Sequence, residues 1–199
     1  MIDTHAHINY PERYGDEEAL LADLSAAGME KLIDVGWNYD SSLYAAQQAE
    51  RCPFVYFAAG FHPSNLGDFT EGDFERIAEL LKRPKGVAVG EIGLDYHMDY
   101  DDDIAPAPHS VQIDCMARQL ELAVRRNVPV ELHLRHEDSD GERTSHVDAY
   151  NVLREVGVPQ AGCVLHCFGE DRATMERFVG LGCYIAYGGA ATFKRNDDV

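Results

Sequence analysis

Two histidines two residues apart, His5 and His7, a carboxylate set among glycines, Glu91, and single histidines at His62, His133 and His166 are the side chains best suited to chemistry. In an extended strand residues i and i+2 project from the same face, so His5 and His7 can reach one metal ion or two adjacent ones, with nitrogen roughly 2.0–2.1 Å from zinc. Glu91 has two oxygens and is the candidate bridging ligand between two cations. Its alternative is a salt-bridged or protonated acid, because an unpaired buried charge is too costly. His133 and His166 each end an apolar run, which brings a neutral nitrogen to the same place. Singly, either reads as a hydrogen-bonded core histidine; together with Glu91 and the His-x-His pair, they read as a metal site assembled from strand ends. Asp3 shares the parity of His5 and His7 and is placed to orient an imidazole. Arg135, a planar donor suited to phosphate, is a candidate clamp, with a solvated or salt-bridged surface arginine as its plain alternative.

These side chains need strands to carry them. Short β-rich runs lie at residues 1–8, 31–37, 54–60, 87–91, 129–134, 163–167 and 183–187. The fourth run ends in an acid and two glycines, which predicts that Glu91 sits at a strand's carboxyl end. Helical signals separate the runs. Acids at residues 16–18 open a helix that Gly28 stops, Asp40, Ser41 and Ser42 cap the next, and Thr70 begins a third. Further helices are predicted over 113–127, 147–156 and 172–181. Such alternation argues for an α/β protein with a parallel sheet. The functional groups come from strands one, three, four, five and six, whereas an open doubly wound sheet gathers them at one switch point. The prediction is therefore a (β/α)8 TIM-like barrel forming a single domain over 1–199, with about seven of eight units visible and a final strand and helix missing.

The formal charge of -18, from 35 acidic against 17 basic residues, excludes a basic protein that coats nucleic acid. Five cysteines without C-x-x-C spacing read as small buried hydrophobes in a reducing compartment. With no leader and no long apolar run, the expectation is a soluble, cytoplasmic monomer with no membrane partner. Asp99, Asp101, Asp102 and Asp103, and then Glu137, Asp138, Asp140 and Glu142, form acidic loops that weaken the approach of a long DNA strand. His97, His109, His136 and His146 read as solvated, and Trp37 as packing. Glu131 is unusual, because its parity with His133 points it inward; it must be protonated or paired with a cation.

The segments Asp3-Thr4-His5-Ala6-His7, Gly60-Phe61-His62-Pro63, Gly90-Glu91-Ile92-Gly93-Leu94-Asp95-Tyr96, Gln119-Leu120-Glu121-Leu122-Ala123, Pro129-Val130-Glu131-Leu132-His133-Leu134-Arg135 and His166-Cys167-Phe168-Gly169 resemble the TatD family of metal-dependent hydrolases and deoxyribonucleases. Residues 188–194 resemble the segment after that family's seventh strand. The resemblance implies His5, His7, Glu91, His133 and His166 as metal ligands and His62 as a contact to a substrate phosphate. It also implies an eight-stranded barrel with two divalent ions, magnesium, manganese or zinc. Glu91 is then the catalytic carboxylate, and hydrolysis of DNA phosphodiesters the implied activity. An amide or ester, including an aminoacyl ester on RNA, is the alternative substrate, and a silent fragment the alternative to an enzyme. Two departures stand out: the family's last-strand Thr-Asp pair is expected beyond Val199, and Leu134-Arg135-His136 replaces the frequent Ser-Arg-Asp.

Overall fold

The computed structural model describes residues 1–66, 69–98 and 106–192. Asp99, Asp101, Asp102 and Asp103, and the end of the 188–194 segment, lie outside them. Seven strands run parallel in sequential order: β1 (Ile2–Ala6), β2 (Lys31–Val35), β3 (Val55–Ala59), β4 (Gly86–Asp95), β5 (Val130–Arg135), β6 (Cys163–Leu165) and β7 (Tyr184–Ile185). Between them run α1 (Pro11–Tyr14), α2 (Glu17–Ala26), α3 (Tyr39–Arg51), α4 (Glu71–Leu80), α5 (His109–Arg126), α6 (Thr144–Val156) and α7 (Arg172–Gly180). The sheet is a curled, open barrel wall, as the alternation of elements predicts. β1 and β7 are its edges, and Ile2 and Tyr184 on them are exposed.

The two faces differ in chemistry. Leu32, Val55, Phe57, Val89, Ile92, Leu94, Val130, Leu132 and Leu165 point outward into one core with Ile77, Met116, Leu120, Leu153 and Phe178 of the helices. Each large side chain buried there contributes about 1.5–3 kcal/mol. The alternate residues line the concave face. Deep in it lies the small apolar cluster Val35, Ala58 and Ala88, with Ile33 packed against it. Above that cluster the face becomes polar, with Glu91, Asp95, Glu131, His133 and His166.

β4 departs from the sequence reading. It runs ten residues, so Glu91 lies within the strand and not at its carboxyl end. Pairing with β5 shifts register between Val89 and Ile92, then resumes through Gly93↔His133 to Asp95↔Arg135. The glycines permit this continuation rather than ending the strand. At the irregularity the Glu91 backbone N–H turns across the concave face and donates to Gly36 O at 2.8 Å. Other boundaries move too: β6 stops at Leu165, before His166, and β1 stops at Ala6, before His7. The start of α3 also differs. Asn38 is its cap, accepting from Ser41 N, while Ser41 Oγ accepts from Asn38 N in return; Asp40 lies in the first turn.

Three buried glutamines fasten helices to strand ends. Gln48 of α3 donates to Ile8 O at 3.2 Å, beside His7. Gln119 of α5 accepts from Phe61 N at 2.8 Å and donates to Phe61 O at 3.1 Å, beside His62. Gln112, two turns earlier on α5, accepts from Asp95 N and donates to the carbonyls of Asp95 and Ala107, each at 2.8 Å. Gln119→Leu leaves two buried backbone groups unpaired and is expected to cost about 2–3 kcal/mol, measured as a lowered urea midpoint with an unchanged slope.

Four of the five cysteines are buried as expected, but Cys167 is exposed, because it lies past the end of β6. Among the described residues, no helix is long and apolar enough to cross a membrane.

Candidate metal centre

Glu91 is 4% exposed, and imidazole nitrogens surround its carboxylate. Oε1 lies 2.5 Å from His166 Nε2, 3.0 Å from His133 Nδ1 and 3.8 Å from His62 Nε2. Oε2 lies 3.4 Å from His7 Nε2 and 3.7 Å from His5 Nε2. The structure thus brings together His5, His7, His62, Glu91, His133 and His166. Arg135, the last residue of β5, is exposed. Burial alone would raise the Glu91 pKa, but hydrogen bonds from His133, His166 and His7 outweigh it and hold the carboxyl far below the usual range.

Hydrogen-bond partners assign the tautomers. His7 Nδ1 donates to Val35 O at 2.8 Å, which leaves a lone pair on Nε2 of the neutral ring. His5 Nδ1 meets Glu131 Oε2 at 2.7 Å, and its Nε2 faces His7 Nε2 at 3.2 Å. Two lone pairs facing each other beside a carboxylate repel unless a cation lies among them. Burial lowers the His7 pKa, but the hydrogen bond and charge of Glu91 win and raise it, which favours a proton there in the free protein. A metal ion would relieve the repulsion equally well, and the donor set fits one. Ligand atoms of His5, Glu91 and His166 all lie within 4.8 Å of one another. Among the described residues His166 Nδ1 is buried without a hydrogen-bond partner, while its Nε2 meets Glu91.

His62 has the opposite tautomer. Its Nδ1 accepts from Ser64 N at 3.1 Å, so the proton of the neutral ring is on Nε2. Burial, followed by the charge of His133, pushes its pKa down to about 4, so the ring is neutral near pH 7. A neutral His62 with Nε2–H donates and cannot ligate metal through that atom. His133 is held between two acids, Glu91 at Nδ1 and Asp95 Oδ2 at 3.2 Å from Nε2. Burial opposes protonation there, yet hydrogen bonds to Asp95 and Glu91 raise its pKa to about 9.

Two carboxylates take parts that sequence reasoning did not give them. Asp95 belongs to the quoted Gly90–Tyr96 segment but received no role; its parity with Glu91 and Gly93 was the available signal. Glu131, not Asp3, meets the His5 ring. Asp3 Oδ1 instead accepts from the His5 backbone N–H at 3.0 Å. Burial raises the Glu131 pKa, with His5 opposing. Asp34, also buried, has its carboxyl pushed up to about 7 by burial and accepts from Ile8 N and Asn9 N, holding the chain just past His7.

A parallel, sequentially ordered sheet with histidines and acids gathered on its concave face has the build of a metal-dependent hydrolase on a barrel scaffold. The chain belongs to the TatD related DNase family, whose model it matches over residues 2–199. It is 31% identical over 194 residues to the uncharacterized metal-dependent hydrolase YabD of Bacillus subtilis, covering 98% of this chain and 71% of that protein. The crystal structure of YjjV, a TatD homologue of Escherichia coli, superposes with a TM-score of 0.81 at 34% identity, covering 98% of this chain and 70% of that one. A protein of Edwardsiella piscicida named 3'-5' ssDNA/RNA exonuclease TatD is 30% identical over 190 residues, covering 95% of this chain and 68% of that protein.

Proposed function

We propose that this chain hydrolyses phosphodiester bonds of single-stranded nucleic acid, with DNA as the leading substrate, at a divalent-metal centre held by His5, His7, Glu91, His133 and His166. The observation that carries the reading is the ionised, buried Glu91 carboxylate facing imidazole nitrogens on both of its oxygens. The relative named an exonuclease supports the choice of bond. When bound, divalent ions supply an acidified water and a positive field for the phosphoryl oxygens. The chain's own residues do the rest. His62, with its proton on Nε2, donates to a substrate phosphate oxygen, and Arg135 at the exposed end of β5 offers a second, planar donor. A cavity of about 460 Å³ lined in part by Tyr39, Phe61, Ser64, Phe69 and Arg76 lies against the neighbours of His62 and is of a size to receive a nucleotide. In the same reading, the edges of β1 and β7, which pair with no further strand among the described residues, fit an eighth strand carrying the family's aspartate.

Glu131 acts on this site through His5. Its carboxylate holds the His5 proton on Nδ1 and so presents Nε2 as a ligand. Glu131→Leu is expected to weaken metal binding by about 10–100-fold in a zinc titration. Glu131→Gln, whose amide oxygen still accepts, loses less. Thermal stability of the leucine variant is expected to fall as well, because the His5 Nδ1 proton loses its partner, so metal binding is measured on protein whose fold circular dichroism verifies.

A second reading, hydrolysis of a small ester or amide, is favoured by the charge of -18 and by the exposed Asp138 and Glu142 after β5. The deciding experiment is nucleotide release from single-stranded DNA with divalent metal or chelator, using the 199-residue chain and a version extended by the family's eighth strand. Metal-dependent release supports the nuclease reading. No release from either version, despite bound metal, overturns it and favours the small substrates.

A further inference from the structure

The loops after β5 and β6 carry a second group of ligand-type side chains that the chemistry above does not use. His136 is the first residue past β5, His146 lies in the first turn of α6, and Glu170 lies two residues before α7. The sequence reading takes His136 and His146 as solvated, but His146 is 4% exposed, packed edge-on against Phe178 with ring centroids 6.3 Å apart. His136 Nδ1 and His146 Nε2 approach the same oxygen, Glu170 Oε1, at 3.3 Å and 3.8 Å. The three ligand atoms all lie within 4.8 Å of one another. Two ligands on one tetrahedral zinc, each at about 2.0–2.1 Å, stand roughly 3.3–3.4 Å apart.

The surroundings prepare each donor. Arg143 takes the other carboxylate oxygen, Nε to Oε2 at 2.5 Å, which fixes the orientation of Glu170 and leaves Oε1 to the imidazoles. Asp171 Oδ2, 2.8 Å from Arg143 Nη1, offsets the guanidinium charge. Ser145 Oγ lies 3.3 Å from His146 Nδ1, so a hydroxyl engages the far nitrogen and Nε2 faces the carboxylate. A hydrogen-bonded knot accounts for His136 and Glu170. It does not account for a buried imidazole nitrogen aimed at that same oxygen from 3.8 Å, beyond hydrogen-bond reach.

We propose that His136, His146 and Glu170 form a separate site for a divalent transition metal, zinc by its donor set, with three protein ligands and an open coordination position. Two imidazoles and one carboxylate favour zinc over magnesium or calcium. Burial, followed by the charges of His136 and Arg143, keeps His146 neutral and its nitrogen available. The site cross-links the two loops that leave the strands of His133 and His166. It stands whether or not the central site is a nuclease.

The test counts zinc per chain by mass spectrometry after desalting, and records the visible spectrum of the cobalt-substituted protein. His136→Gln and His146→Gln are each expected to lose the same one equivalent of zinc, with affinity for it reduced at least tenfold, and to change the cobalt bands. His7→Ala is expected to lose a different equivalent, so His7→Ala with His136→Gln loses both. His136 is partly exposed, so its variant keeps the fold, which a thermal melt verifies. Unchanged zinc content and cobalt spectrum in the folded His136→Gln protein would overturn the proposal and leave the cluster an ionic knot.

Discussion

Glu91→Gln is expected to lower metal-dependent hydrolysis by about 10³-fold or more, the scale of losing a principal charge-stabilising group. The substitution keeps size and shape while removing the charge on which His5, His7, His62, His133 and His166 converge. The new amide also carries an NH2 where Glu91 had an acceptor oxygen, so a ring that donated to that oxygen, as His133 Nδ1 does to Oε1, can meet a donor instead. Metal content should fall together with activity, because the carboxylate and the imidazoles share the work of holding cations. The measurement is nucleotide release alongside metal per chain, with circular dichroism as the check on folding. Activity within tenfold of the parent would remove Glu91 from the centre of the mechanism.

Gly93→Ala is expected to cost about 4 kcal/mol or more, a large part of the 5–15 kcal/mol that stabilises a typical domain. Gly93 has φ +144, where L side chains are strained, and a Cβ built there would lie 1.9 Å from the carbonyl oxygen of His133. That oxygen belongs to backbone paired across β4 and β5, so it cannot swing aside as a side-chain tip would. The variant should be largely unfolded or insoluble at 37 °C. Gly141→Ala is the control: nothing lies within 4 Å of its Cβ position, and its urea midpoint should stay close to the parent's. A Gly93→Ala protein as stable as this control would mean that β4 and β5 separate more easily than their pairing suggests.

Much of the fold was legible because each strand is a short apolar run and each helix carries its own start or stop signal. The spacing of His5 and His7 and the inward parity of Glu131 needed only the two-residue repeat of a strand. What was hidden is non-local. The partner of Glu131 is His5, 126 residues away, and no local pattern names it. Glu91 was placed at a strand end because glycines usually break strands, whereas here pairing with β5 carries the chain on to Asp95. His146 looked solvated among acids and serines, and only its packing against Phe178, from a later helix, buries it. The proposed role of His62 comes from resemblance, and the sequence does not tell where its proton lies; the contact from Ser64 N assigns that proton to Nε2.

Gln112 grips Asp95 and Ala107 with one side chain, so a single residue of α5 ties the end of β4 to the segment that leads into its own helix. The residues just past the strand are held as well: Tyr96 Oη donates to Asp148 at 2.8 Å, and Met98 N donates to Glu137 Oε2 at 3.0 Å. The end of β4 is thus fixed from two sides, which keeps Asp95 and His133 in registration. The same clasp couples a helix to the metal centre: loosening Gln112 would disturb Asp95, and through Asp95 the His133 ring, although Gln112 itself lies outside the site.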